Sequence, residues 1–424
     1  MTVLETFADA LLAAPAAVEA ARIQERLRLH LLDTIGAMHA GAACAEGRAL
    51  AATGGVPELF DGGLPDRLAL AVAQTRLTET DDIHMASCTT IGSVIVPTAL
   101  LLGAAAGVDR TRRDAGLRAG YDAMARLGSA VDGARILYKG IWPTYLCAPF
   151  GAAACAAVIL GLDSAKTADA LAIALAQVSG AAGGPAAGRN SRWLYAGWAA
   201  AAGVRAALAA RDGFSGDLSL LDGKWFETTH GIAFETASLA GAPGSALLEM
   251  SLKPWCTAKQ ASSALAGFIE LLDGGIQAAD IAAVRIHVPQ AYRAMIAHQP
   301  PGRIGRIVSI GWQCAVAAYR REGLFDIERA DFSALPEFAT LAKKIQVIVD
   351  PALDAHFPHT YPARVEVEMT DGARLEKLVI NAPGDPAAPL DEAAVTTKFI
   401  QVCKAVMGAE AAQQALARAQ EVMS

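Results

Sequence analysis

Two stretches of this 424-residue chain, residues 88–108 and 141–162, contain no charged side chain, and each is long enough to cross a bilayer as a helix. Such runs belong either in lipid or wholly inside a protein core. Their content favours the core: the first includes Thr89, Thr90, Gly92, Ser93 and Pro97, and the second is interrupted by Pro143 and Pro149. The opening MTVLETFADALLAAP has no basic residue before its apolar positions and carries Glu5 and Asp9, so it does not read as a signal peptide. A cytoplasmic protein is expected.

Composition agrees with buried helices. The chain is 53% hydrophobic on a scale that counts alanine, its commonest residue, yet only 6% aromatic. Alanine is the best helix former and lets helices approach closely, so a mainly α, tightly packed protein is expected. Lys plus Arg number 36 against 43 Asp plus Glu, with no long basic run, which argues against a nucleic-acid partner. Seven cysteines, odd in number, widely spaced and without a CxxC, suggest neither a disulfide framework nor a zinc or iron–sulfur site.

Apolar residues recur at three and four up to about residue 268, with clear helices at 15–40, 94–108, 115–130, 147–160, 165–180 and 197–212. The segments 65–67, 161–170 and 211–217 read as caps and turns, with Asp163 or Ser164 as an N-cap. The texture changes near residue 275. Residues 282–292 and 343–350 alternate apolar and polar positions, and 363–380 reads as two strands around Asp371-Gly372, a hairpin signal. The expectation is a large all-helical domain, residues 1–268 with 394–424, and a smaller α+β lid domain, residues 269–393, with an antiparallel sheet.

Three segments carry possible chemistry. In TETDDIHMASCTTIGS, the acids Glu79, Asp81 and Asp82 and the imidazole of His84 precede an uncharged helix that has Thr89 and Thr90 at its mouth. They either transfer protons beside a bound carboxylate or simply cap the helix, since Asp is favoured there. The Gly-rich segment 183–203 brings Arg189, Asn190 and Arg192 into a helix without GxGxxG spacing; it is an anion site or a solvated loop. SLKPWCTAKQAS places Lys253 and Lys259 around Pro254, a turn that either binds carboxylates or only enters a helix. His30 and His39 read as core or surface residues.

In order along the chain, LLDTIGAMHAG (31–41), ETDDIH with GSVIVPTALLLG, GYDAMARLGSAV (120–131), FGAAACAAVILGLD (150–163), SLKPW (251–255), SIGWQCAVAAYRREGL (309–324) and the stretch 371–399 resemble the MmgE/PrpD family. That family includes 2-methylcitrate dehydratases, cis-aconitate decarboxylases and an iminodisuccinate epimerase. The last stretch, with its Asp-Gly hairpin, GDP turn and closing Lys-Phe, is the most specific. The resemblance implies a helical domain with an α+β lid, a homodimer, and no metal, nucleotide or iron–sulfur cofactor.

Its site residues carry over incompletely. The family's acidic loop usually begins with Asp, where this chain has Glu79; Asp82 is retained, and a His-Pro pair is replaced by Thr89-Thr90 with His84 displaced toward the acids. Gly-Phe-His becomes Gly140-Ile141-Trp142, Lys-xx-His becomes Arg192 and Tyr195, and an aromatic of the lid helix becomes Trp312. Lys253 is kept. Trp cannot exchange a proton at neutral pH, so the dehydratase relay does not transfer, and two tryptophan walls, Trp142 and Trp312, favour a ligand with an apolar part. The expected function is a cofactor-independent lyase, dehydratase or decarboxylase, acting on a small carboxylic acid. Asp82, Glu79 and His84 are the proton-transfer candidates, Lys253 stabilises charge, and Arg192, Lys259, Thr89, Tyr195, Trp142 and Trp312 form the binding groups. An epimerase using the same proton abstraction and a non-catalytic ligand-binding protein are the alternatives.

Overall fold

The computed structural model describes residues 1–53, 63–183, 189–297, 302–332 and 334–423. The uncharged runs become the helices Gly92–Ala106, buried except toward its C-terminal end, and Pro143–Leu160, almost wholly buried. Pro143–Leu160 is the hub of the helical part, packed by Arg110–Ala130, Arg192–Arg211, Gly92–Ala106 and Ser164–Leu175. Small residues permit these approaches. A Cβ on Gly151 would stand 2.3 Å from Met124, and one on Gly203 would stand 2.2 Å from the Pro149 carbonyl. Among the described residues Pro143–Leu160 is also the one helix long and apolar enough to cross a membrane, and 89% of it is buried inside the protein.

Asp163 caps the Ser164–Leu175 helix by accepting from the Lys166 amide at 2.9 Å, as its sequence position suggests. The Pro65-Asp66-Arg67 segment is not a break: it forms the first turn of Leu64–Arg76, where proline's fixed φ and missing N–H are tolerated.

Two sheets are present among the described residues. A short antiparallel pair, β1 (Ile83–His84) with β2 (Met250–Ser251), lies within the helical part. The second sheet comprises β3 (Ile281–Val288), β4 (Ile345–Val349), β5 (Ala363–Met369) and β6 (Arg374–Val379), in the order β4-β3-β5-β6. It is mixed rather than wholly antiparallel, because β4 runs parallel to β3. The connection between them contains the helices Gln290–Ala297, Gly302–Val308, Ile310–Tyr319 and Pro336–Lys343, long enough for the crossover a parallel pair requires. Gly372, at φ +90°, turns the β5–β6 hairpin at the expected Asp-Gly. The Lys259–Asp273 helix lies across β5 and β6, and Glu392–Met407 returns to pack on Ala17–Ala43.

Candidate active site

The turn after Leu64–Arg76 and the segment after β2 meet because β1 and β2 pair in register, Ile83 opposite Ser251 and His84 opposite Met250. This places Lys253 against the acidic turn. Its ammonium lies 3.0 Å from Asp81 Oδ1 and 3.5 Å from Glu79 Oε2. Arg76, the last residue of its helix, approaches Glu79 Oε2 at 3.1 Å and Asp81 Oδ2 at 3.3 Å, and Arg192 donates to Glu79 Oε1 at 3.0 Å. All five side chains are buried. Three cations face two carboxylates, an excess of one positive charge.

Burial alone would raise the Glu79 carboxyl above its ordinary range, but the adjacent charges of Arg76, Lys253 and Arg192 outweigh it and hold the group at about 2. Glu79 is therefore ionised at neutral pH. Its backbone is in the left-handed region at φ +56°, an uncommon state for a residue with a long side chain and one found disproportionately at functional sites. The Arg192 guanidinium stacks between Trp142, 4.8 Å from its centre, and Trp193 at 4.1 Å. Trp142 is fixed in turn: its indole donates to the Gly183 carbonyl at 2.6 Å and its amide to Gly180 at 2.8 Å.

A cavity of about 40 Å³ opens onto this cluster. Arg76, Glu79, Arg192 and Lys253 form its charged wall, and Trp142 and Leu137 part of its apolar wall. Met295 of the Gln290–Ala297 helix and Ile307 and Val308 of the Gly302–Val308 helix also line it. Thr90, Thr144, Gln260 and Cys88 add polar atoms.

The structure thus gathers Glu79, Lys253, Arg192 and Trp142 in one place. Lys259 also lines the cavity, but its ammonium pairs with Asp385 and donates to Ser251 Oγ at 3.0 Å. Asp82 lies behind the cluster. Its carboxylate accepts from the Gly92 amide at 2.7 Å, the Tyr121 hydroxyl at 2.8 Å and His30 Nδ1 at 2.8 Å, so it anchors the start of the Gly92–Ala106 helix. Because the Arg26 guanidinium can only donate to His30 Nε2, at 3.3 Å, the proton of His30 is on Nδ1.

His84 and Thr89 are directed away from the cavity. His84 bonds Ser87 Oγ at 2.8 Å and the exposed Glu249 at 3.2 Å, and Ser87 bonds Thr89. Tyr195 is partly exposed on a different cavity, beside Trp198 and Gly180. Trp312 stacks on Phe332, packs at a tilt against Phe338, lies under the Arg306 guanidinium and forms no wall of the charged cavity. Arg189 and Asn190 are exposed, and residues 184–188 of the same Gly-rich segment lie outside the described residues.

Sequence reasoning missed Arg76 and the His30–Asp82 link. The available signal for Arg76 was its position three residues before Glu79, in a stretch otherwise free of bases. His30 and Tyr121 reach Asp82 from helices 52 and 39 residues away, which no local pattern encodes.

Two family models match the chain: the MmgE/PrpD N-terminal domain over residues 66–233 and the MmgE/PrpD C-terminal domain over residues 263–422. The chain belongs to the MmgE/PrpD family. No curated protein matches it. The family is associated with dehydratase, decarboxylase and epimerase-type activities. Its C-terminal match includes the closing Lys-Phe: Lys398 donates to the Thr80 carbonyl at 2.6 Å and pairs with Asp33, while Phe399 occupies the space left by the missing side chain of Gly36. It also includes the GDP turn, where the Gly384 carbonyl accepts from the Leu252 amide at 3.0 Å and Asp385 from Ser251 at 2.8 Å. Both motifs thereby brace the two segments that carry Glu79 and Lys253.

Proposed function

We propose that the protein is a lyase that acts on a small carboxylic acid through its own side chains, with Glu79 as the base. The observation that carries this reading is the convergence of Arg76, Arg192 and Lys253 on the carboxylates of Glu79 and Asp81 beside a cavity lined by Glu79 and all three cations. A substrate carboxylate entering beside Arg192 competes with Glu79 for the same cation. As Glu79 loses that partner its affinity for a proton rises, so binding itself makes the base effective. Glu79 then takes the proton from the carbon next to the carboxylate, that electron pair forms the double bond, and the neighbouring C–O bond breaks. The departing hydroxide leaves as water with a proton from the Lys253 ammonium. The guanidinium groups stabilise the enolate-like charge as it develops.

The geometry favours elimination over epimerisation. Glu79 and Lys253 are paired to each other, so they present acid and base from one side, whereas two-base epimerisation needs them on opposite faces of the carbon. The test is incubation with 2-methylcitrate, citrate, cis-aconitate and three- to five-carbon 2- and 3-hydroxy acids, following alkene absorbance and carbon dioxide. Turnover is expected on at least one acid, reduced at least about 100-fold in Glu79→Gln and Lys253→Ala, the scale of a lost acid or base. No turnover across the panel overturns the reading, and solvent deuterium exchange without loss of a group would assign epimerisation instead.

A further inference from the structure

The three cations of the charged cluster are not held alike. Arg76 and Lys253 each reach both Glu79 and Asp81, whereas among the described residues the Arg192 guanidinium bridges to Glu79 alone, at 3.0 Å. The rest of its support is aromatic: its centre lies 4.1 Å from the ring of Trp193 and 4.8 Å from that of Trp142. Arg76 lies over Trp193 too, 5.4 Å from the ring centre, so that ring is shared between the two arginines, while Trp142 meets Arg192. Trp142 is itself fixed from elsewhere. It stacks on Tyr145 with ring centres 5.5 Å apart, and it donates to the Gly183 carbonyl through its indole and to Gly180 through its amide. The N–H donors of a guanidinium lie in its own plane. An arginine held by its faces can therefore change acceptor by a small movement in that plane, without leaving the rings that hold it.

We propose that Trp142 is a positioning residue that selects carboxylates through Arg192: with Trp193 it confines the guanidinium to an aromatic slot, from which Arg192 passes edge-on from Glu79 to the ligand. This rests on the acid-binding reading of the charged cavity but not on any turnover there. Arg192 and Trp142 both line that cavity, so the ligand meets the slot directly. A carboxylate is planar and offers two oxygens at the spacing of the guanidinium fork, whereas a spherical anion such as chloride makes one contact and gains nothing from the fork being held in a fixed plane. Confinement before binding also spares the ligand the cost of ordering a long side chain. As a residue in an uncharged run, Trp142 reads from the sequence as an apolar wall. Its second role depends on the Arg192 helix arriving over its face, 50 residues later.

The test is calorimetric titration with acetate and with chloride of the wild type, Trp142→Leu, Trp142→Phe, and protein carrying a ring-fluorinated tryptophan at position 142 alone. Fluorine draws electron density from the ring face and weakens its hold on a cation while leaving the shape and the indole N–H nearly unchanged, so this protein decides the matter even if Trp142→Leu does not fold. Trp142→Leu and the fluorinated protein are expected to bind acetate about three- to tenfold more weakly, the scale of re-ordering one long side chain, and to prefer it less over chloride. Trp142→Phe keeps an aromatic face but cannot bond Gly183, and should bind acetate more tightly than Trp142→Leu. Wild-type acetate affinity in the fluorinated protein overturns the proposal. So does a Trp142→Phe no better than Trp142→Leu, which would give the role to the Gly183 bond, and so does an equal loss for acetate and chloride, which would show that the ring tunes charge without selecting shape. Failure of acetate to bind the wild type overturns the slot and the acid-binding reading together, whereas binding without turnover defeats only the lyase.

Discussion

Asp82 shows how far neighbouring carboxylates can diverge in role. Glu79 and Asp81 face cations, whereas Asp82 receives three donors, from Gly92, Tyr121 and His30. Asparagine offers one acceptor oxygen and an NH₂ that must confront at least one of those donors. Asp82→Asn is therefore expected to lower stability by about 2–4 kcal/mol, the scale of a broken buried polar network, in urea unfolding. If it unfolds like the wild type but abolishes turnover, Asp82 is a catalytic group after all. The sequence made the acids conspicuous without dividing them, because TETDD reads the same whether a side chain turns toward a cavity or toward a helix amide. Lys253 and Arg192 were legible as cations near small or turn-forming residues. Which cations remain available was not legible, since the partner that occupies Lys259 is Asp385, 126 residues later.

Among the elements, the Gly384–Asp385 turn and the strand β2 form a unit that holds Lys253 in place. Gly384 has φ +93°, and a Cβ there would stand 1.8 Å from the Leu252 carbonyl. Gly372 has a similar φ of +90° but nothing within 4 Å. The two glycines separate backbone strain from collision. Gly372→Ala should cost about 1–2 kcal/mol, the penalty of the left-handed region, and Gly384→Ala distinctly more, with the Leu252–Gly384 hydrogen bond lost. Thermal melts of the two variants provide the comparison, and equal losses would show that the close approach is unimportant. Period-three and period-two patterns revealed most long helices and the four strands of the mixed sheet. They failed for β1 and β2, which are two residues each, and for the direction of β4, which depends on the crossover rather than on alternation.

For the whole molecule, the Arg76, Glu79, Asp81, Arg192 and Lys253 cluster joins segments far apart in the chain, so its protonation bears on global stability. The Glu79 pKa falls from an ordinary 4.5 to about 2 on folding. A depressed carboxyl stabilises the fold above its unfolded value and loses that contribution as pH falls through the folded one. The stability advantage of wild type over Glu79→Gln should accordingly be full above about pH 5 and shrink toward pH 2. A gap that is constant across that window in chemical denaturation would contradict the assignment.

The Pro143–Leu160 helix has covering helices on both sides of it in sequence, Arg110–Ala130 before and Arg192–Arg211 after. During synthesis it leaves the ribosome before its later cover exists, and for that interval one flank of a membrane-competent segment meets water. The finished protein hides this long apolar helix well. The hazard belongs to the order of manufacture, in the gap between residue 160 and residue 211, where a chain released early would carry an uncovered apolar rod into the cell.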